Sequence, residues 1–127
     1  LPLIDEDLIP FLIQSAKGEN LPQTIEIKKE SALVVVLASE GYPESYPKGE
    51  IITQPESFPT GSHLIHAGTR LNDNLDVISA GGRVLGAVGW GENLEQAKDR
   101  AYELCNLVSF KSKYYRKDIG HKEFLRY

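Results

Sequence analysis

The residues of this sequence best suited to ligand chemistry are the consecutive Gly81, Gly82 and Arg83. Two glycines leave backbone N–H groups accessible, and the arginine adds a planar guanidinium that binds phosphate or carboxylate through paired hydrogen bonds. The motif therefore predicts an anion-binding site. The alternative is a plain glycine turn followed by an arginine on a solvated strand face, and three residues alone do not decide between the two.

A second candidate is the segment 66–69, which ends a predicted strand in small residues. Small residues let a backbone approach a ligand closely, and His66 adds a polar side chain. The alternative is an ordinary exit from the strand into a turn. His63 lies three residues earlier, and residues three apart in a strand lie on opposite faces, so the two histidines predict no metal site.

Complete catalytic motifs are absent from the sequence, which has no P-loop, no HExxH motif and no EF-hand. The single cysteine, Cys105, excludes an internal disulfide and lies on the apolar stripe of a predicted helix. It is therefore interpreted as a core residue rather than a nucleophile. Asp73 and Asp76 lie at a predicted hairpin and are interpreted as turn residues. We predict neither a catalytic residue nor a metal ligand in this chain.

Composition indicates one small globular domain, with 127 residues of which 41% are hydrophobic and 25% charged. The 18 acids exceed the 14 lysines and arginines, and this balance argues against nucleic acid or an anionic membrane as a partner. No apolar run approaches the roughly 20 residues that span a bilayer. The chain lacks methionine and begins at Leu1, which we interpret as a processed start or a piece of a longer chain.

The two predicted helices have identifiable ends. Residues 1–17 carry apolar side chains at helical spacing, with Asp7 as the N-cap and Gly18 as the stop. A second helix follows Asn93, where Gln96 completes a capping box, and its apolar stripe predicts a buried face.

The remaining residues predict strands and a tail. The run 32–38 is apolar at every position, which favours a central strand buried on both faces. The tail, 110–127, mixes aromatic and basic residues, and we expect its tyrosines to pack on the domain body rather than to bind single-stranded nucleic acid. The order of elements predicts an α+β fold in which helices pack on a largely antiparallel sheet. Shorter strands are predicted at 25–27, 51–52, 63–67, 75–78 and 83–88.

Six segments resemble, in order and approximate spacing, the C-terminal domain of phosphoribosylamine–glycine ligase, also called glycinamide ribonucleotide synthetase, an ATP-grasp enzyme. One such segment is weakly specific, but six in register are strongly so. They extend from the strand predicted at 32–38 to about Gly120, and the resemblance as a whole begins at the first helix. The segments are VVVLASEGYP at 34–43, YPKG at 46–49, HAGT at 66–69, GGRVLG at 81–86, LEQA at 94–97 with AY at 101–102, and YRKDIG at 115–120.

The resemblance implies that residues 1–127 are the C-terminal domain of such a ligase, without its N-terminal and ATP-grasp domains. These enzymes phosphorylate glycine with ATP, and the amine of 5-phosphoribosylamine then attacks the acyl phosphate to give glycinamide ribonucleotide, ADP and phosphate. ATP and Mg²⁺ are implied to bind mainly to the absent domains, so the chain alone is expected to be inactive. The implied role is de novo purine biosynthesis in the cytoplasm.

The resemblance also implies a site for the phosphate of 5-phosphoribosylamine, because related ligases supply basic residues of this domain to a substrate phosphate. Arg83 with the amides of Gly81 and Gly82 is the first candidate. Lys48, in the 46–49 loop, is the last, and it is equally well explained as a surface lysine. His66, Gly68 and Thr69 are the second candidates, as neighbouring wall or phosphate contacts.

Two alternatives to this ligase stay open. One is another ATP-grasp carboxylate–amine ligase with the same module, although the 34–43 and 115–120 segments argue against it. The other is a free-standing, non-catalytic module that binds a phosphorylated metabolite or a partner protein. The parent open reading frame distinguishes them, since a ligase carries a grasp domain upstream.

Overall fold

The structure is a computed structural model that describes residues 1–125. Its α+β architecture is the predicted one: a four-stranded antiparallel sheet in the order β2-β5-β1-β6, a separate β3-β4 hairpin, and helices. Residues 126 and 127 of the predicted tail lie outside the described residues. The elements are α1 (Leu8–Lys17), β1 (Ser31–Ser39), β2 (Ser62–His66), β3 (Thr69–Leu71), β4 (Val77–Ser79), β5 (Arg83–Gly91), α2 (Leu94–Leu107), β6 (Lys113–Tyr114) and α3 (His121–Phe124).

The centre of the sheet is the long antiparallel pair of β1 and β5. Their register runs from Ser31 opposite Gly91 to Ala38 opposite Arg83, with an irregularity between Leu37 and Ala38. Residues directly opposite each other in an antiparallel pair project from the same face. Arg83 therefore lies on the same face as Ala38, at the end of the sheet where β5 begins.

One face of the sheet is covered by α2, and the core lies between them. Asn93 begins the helix as predicted, since its side chain accepts a hydrogen bond from the Gln96 amide at 2.9 Å. The helix backbone comes very close to the sheet at Gly89, where a side chain would overlap Ala97 and Ala101. The fully buried residues on the two sides are Val35, Leu37, Val84, Ala87, Ala97, Ala101, Leu104, Cys105 and Val108.

The opposite face of the sheet is largely open. Val34 is 48% exposed and Val36 43% exposed, and Ile65 beside them on β2 is 46% exposed. The prediction that the strand over 32–38 is buried on both faces is therefore wrong: only alternate residues are buried. The side chains on the second face are apolar, but no helix of the described chain packs on them.

The first helix forms where predicted but buries none of its residues. The Asp7 carboxylate accepts a hydrogen bond from the Ile9 amide at 3.0 Å, and Gly18 ends the helix with a φ of 70°. Several of its apolar side chains remain in solvent, as shown by Leu12, which is 65% exposed. The predicted strand at 25–27 is reduced to one isolated bridge between Ile4 and Ile27.

Other short predicted strands have mixed outcomes. The residues at 51–52 form only an isolated bridge from Ile51 to Ile78, whereas the strand predicted at 63–67 is β2. The hairpin predicted around residues 72–74 joins β3 to β4, where the Asn72 side chain accepts from the Asn74 and Asp76 amides at 3.0 and 2.8 Å. Asp76 thus acts as a turn residue, as interpreted from the sequence.

The tail returns to the domain body, as expected for its tyrosines. Tyr102 of α2 donates to the Arg116 carbonyl at 2.9 Å and accepts from the Ile119 amide at 3.1 Å, and Tyr115 donates to Asn106 at 2.9 Å. None of the helices described here is both long and apolar enough to cross a membrane.

Lys113 of β6 caps the C-terminal end of α2, an interaction that the sequence did not indicate. Its ammonium group donates to the carbonyls of Cys105 and Val108 at 2.9 and 2.6 Å. These carbonyls belong to the last turn and the cap, where helical partners are missing and a cation is favourable. A residue assigned from sequence to a basic tail is therefore a helix cap.

Cys105 is wholly buried, and this burial raises the pKa of its thiol from 9.0 to about 11. The folded state then holds the thiol proton more tightly than the unfolded state. The stability that this provides is present below pH 9 and is lost as the pH rises from 9 to about 11. The core interpretation from sequence agrees with this environment.

We therefore expect a disulfide reagent near pH 8 to label Cys105 at least ~100-fold more slowly in the folded chain than in the urea-unfolded chain, because the thiolate is both rarer and inaccessible. Labelling followed against urea concentration should coincide with the unfolding transition seen by circular dichroism. Rapid labelling of the folded chain would contradict the buried placement.

Candidate functional site

Arg83 projects from the open face of the sheet at the first residue of β5. Its side chain is exposed and makes no hydrogen bond or ion pair within residues 1–125. The apolar residues Val36 and Ile65 lie close by and border the same surface. A guanidinium with its donors unused, beside surface that does not compete for them, is suited to bind an anion.

The structure brings the 66–69 and 81–83 segments together. The Gly68 amide donates to the Arg83 carbonyl at 2.9 Å, and the Gly81 amide donates to the Gly68 carbonyl at 3.1 Å. A Cβ at Gly68 would lie only 2.6 Å from the Arg83 carbonyl oxygen. The backbones of the two candidate segments therefore meet, and Gly68 borders the same surface as Arg83. His66 pairs with Leu85 and lies on the other face of the sheet from Arg83. The Gly81 N–H therefore already has a partner, and Arg83 is the charged donor that this surface offers to an anion.

Position 82 has no room for a side chain because of a contact that the sequence did not indicate. Its carbonyl accepts from the Ser39 amide at 2.9 Å, and a Cβ on it would overlap the Tyr42 ring. Neither Gly82 nor Gly81 has a positive φ, so both glycines serve close packing rather than a left-handed turn. The sequence indicated only that Tyr42 lies in a loop of turn-forming residues.

His66 and Thr69 contact each other rather than standing free. His66 Nδ1 lies 3.1 Å from Thr69 Oγ1, and His66 Nε2 lies 3.5 Å from the Gln54 side-chain nitrogen. Opposite partners in β5 place His63 with Val88 and His66 with the core residue Leu85, so the histidines lie on different faces as predicted. Across residues 1–125, no group of three or more His, Cys, Asp or Glu residues could hold a metal ion.

Among the described residues, two tyrosines connect Lys48 to the site. Its ammonium nitrogen lies 5.5 Å from the Tyr46 ring centre, and the Tyr46 and Tyr42 rings meet edge to face at 5.6 Å. The loop is held at its end by Gly49, whose amide donates to the Ser79 carbonyl at 2.7 Å. The structure thus places Lys48 on the loop that lies against Gly82, without direct contact to Arg83.

A second arginine beside this surface, Arg116, already forms an ion pair with a carboxylate. Arg116 donates two hydrogen bonds to the Asp118 carboxylate, at 2.9 and 2.6 Å. This pairing lowers the pKa of Asp118 and raises that of Arg116. Arg116 and Arg83 border one groove with Tyr42 and Val36, but within residues 1–125 only the guanidinium of Arg116 is paired with a carboxylate.

Comparison with known proteins gives one consistent result. Residues 32–122 match the family described as "Phosphoribosylglycinamide synthetase, C domain". The chain is 40% identical over 120 residues to "Phosphoribosylamine--glycine ligase, chloroplastic" of Arabidopsis thaliana, covering 92% of this chain and 23% of that protein. It is 41% identical over 126 residues to the protein of that name from Nostoc sp., covering 96% of this chain and 29% of that protein.

A solved structure agrees. The crystal structure of phosphoribosylamine–glycine ligase from Thermotoga maritima superposes with a TM-score of 0.74 at 36% identity, over 84% of this chain and 26% of that chain. The chain thus spans about a quarter of the length of these relatives. Because the family match covers most of the chain and the architecture agrees, the chain belongs to the phosphoribosylglycinamide synthetase C-domain family.

Proposed function

We propose that residues 1–127 are the C-terminal domain of an ATP-dependent ligase that joins glycine to 5-phosphoribosylamine, yielding glycinamide ribonucleotide, ADP and phosphate for purine biosynthesis. The observation that carries the proposal is the family match over residues 32–122. It is supported by identities of 40% and 41% to proteins named as this ligase. These matches favour this ligase over another ATP-grasp enzyme.

In this proposal the chain contributes to substrate binding and not to ATP binding. The sequence has no P-loop, and the described residues offer no cluster of carboxylates for Mg²⁺, so we assign ATP and the metal to the rest of the polypeptide. The metal and nucleotide supply phosphoryl transfer to glycine when bound there. The chain supplies a binding group for the phosphate of 5-phosphoribosylamine.

Arg83 is the proposed phosphate ligand. Its fork of N–H donors fits two phosphate oxygens, and the apolar Val36 and Ile65 beside it offer no group that competes for those donors. Gly68 keeps the neighbouring backbone free of side chains, and Thr69 and Lys48 are proposed as further contacts at the edges. Fixing the phosphate orients the amine at the other end of the substrate for its attack.

The open sheet face is proposed to contact the remaining polypeptide. Val34, Val36 and Ile65 expose apolar surface on one side of the sheet, and Leu12 of α1 is 65% exposed. The chain covers only 23% and 29% of the two relatives named above, so they contain further residues that could bury such surface. Cytoplasmic location stays a prediction, since one relative is named as chloroplastic.

Calorimetry and a turnover assay together test the proposal. We expect the 127-residue chain to bind no ATP measurably, with or without Mg²⁺. The complete polypeptide that contains it should form glycinamide ribonucleotide from glycine, 5-phosphoribosylamine and ATP. Tight ATP binding by the chain would contradict the division of roles. A complete polypeptide that binds a phosphorylated metabolite without turnover would instead favour the non-catalytic module.

A further inference from the structure

The loop that follows β1 is folded against the backbone just before Arg83. The Ser39 amide donates to the Gly82 carbonyl at 2.9 Å, and the Tyr42 amide donates to the Ser39 carbonyl at 3.1 Å. The Tyr42 ring lies so close to Gly82 that a Cβ there would overlap three of its ring carbons. The ring and the two backbone bonds thus fix the peptide from which Arg83 extends.

This placement is not explained by core packing. Tyr42 is 42% exposed and lies outside the buried cluster beneath α2. Its hydroxyl has no hydrogen-bond partner in the described part of the chain. Apart from Gly82, its ring contacts Tyr46 edge to face at 5.6 Å, and it borders one groove with Arg83. The ring therefore packs at the surface, between Gly82 and the groove that Arg83 borders, rather than in the core.

We propose that Tyr42 is a positioning residue for Arg83: its ring holds the Gly82–Arg83 backbone and walls one side of the phosphate site. The Arg83 side chain makes no hydrogen bond or ion pair within residues 1–125, so its direction depends on its backbone and on the surfaces beside it. A flat apolar wall also removes water from one side of the guanidinium. The inference rests on the proposed phosphate role of Arg83.

The test uses the complete ligase polypeptide and the two variants Tyr42→Ala and Tyr42→Phe. We expect Tyr42→Ala to raise the KM for 5-phosphoribosylamine about tenfold while the KM for ATP changes less than twofold. Tyr42→Phe should restore the original KM, because it keeps the ring and removes only a hydroxyl without a partner. Phe58→Ala is the matched control, since Phe58 is 43% exposed in another loop.

A double-mutant cycle separates this inference from the proposed function. If Tyr42 acts through Arg83, adding Tyr42→Ala to Arg83→Ala should change the KM for 5-phosphoribosylamine no further. Independent, multiplicative effects would overturn the positioning role while leaving the Arg83 role intact. If Arg83→Ala itself leaves this KM unchanged, both fail.

Folding is controlled within the same experiment. Thermal unfolding of each variant should stay within a few degrees of the parent protein. A loss of kcat/KM for both substrates together with a lower Tm would show a structural role for Tyr42 and overturn the proposal. Should Tyr42→Ala fold poorly, Tyr42→Leu keeps apolar volume without the flat ring, and the same selective rise in KM is expected.

Discussion

A Gly89→Ala variant of this chain is expected to lose about 3 kcal/mol or more of unfolding free energy. A methyl group on Gly89 would overlap the Ala97 carbonyl oxygen and the Ala101 amide nitrogen. These are backbone atoms inside α2, so the helix as a whole must move away from the sheet. That movement opens the packing around Ala101, Leu104 and Cys105, all of which are fully buried. Small domains have only about 5–15 kcal/mol of stability in total, so this is a large fraction.

Gly86→Ala is the matched control on the same strand. A Cβ at Gly86 would meet Val34 Cγ2 at 3.3 Å and Ile65 Cβ at 3.7 Å, both on the open face, where side chains can adjust. Its effect should stay within ~1 kcal/mol, because it removes glycine flexibility from the unfolded chain without a backbone clash. Urea unfolding measures both variants. Equal losses in the two would show that the close approach of α2 at Gly89 is not what limits stability.

Arg83→Ala in the complete polypeptide is expected to raise the KM for 5-phosphoribosylamine between about 10- and 100-fold. The range corresponds to the ~1.5–3 kcal/mol typical of hydrogen bonds to a charged group, at 1.4 kcal/mol for each factor of ten. The KM for ATP should change less than twofold, since ATP is assigned to the rest of the polypeptide. Stability should be unaffected, because the Arg83 side chain makes no hydrogen bond or ion pair within the described residues and its backbone bond to Gly68 is kept in the variant.

Two further variants sharpen the interpretation of this result. Arg83→Lys retains the charge but not the planar fork, so it should recover only part of the lost affinity. Arg70→Ala is a control that removes another exposed guanidinium. Arg70 follows Thr69 in β3, so the two side chains project from opposite faces of that strand. It should leave the KM for 5-phosphoribosylamine unchanged. Equal rises for both substrates after Arg83→Ala would argue against a phosphate contact.

The elements with strong local signals could be predicted from the sequence. Asp7 and Asn93 accept hydrogen bonds at the starts of their helices, and Gly18 ends α1 with a positive φ. These features depend on residues within one helical turn, so neighbours in sequence contain the required information. The predictions of short strands at 25–27 and 51–52 were wrong. A strand needs a partner strand, and whether one is available depends on residues elsewhere in the chain.

The candidate site divides in the same way. The sequence indicated which residue types could bind an anion. It did not indicate that Gly68 bonds to both Gly81 and Arg83, because those residues lie at least thirteen positions further along the chain. Tyr42 was missed because its contact with Gly82 spans the whole of β2 to β4. Nothing in a loop sequence shows which distant glycine its ring will cover.

By itself the sequence determined the family, the α+β class and the helix N-caps, and it predicted which residue types are suited to bind an anion. Only the tertiary structure decided that the apolar strand β1 is covered on one face, that Lys113 caps α2, and that Arg83 is available while Arg116 is paired. The physical reason is that hydrophobicity and capping act locally. Coverage of a face and pairing of a charge depend on where distant segments return.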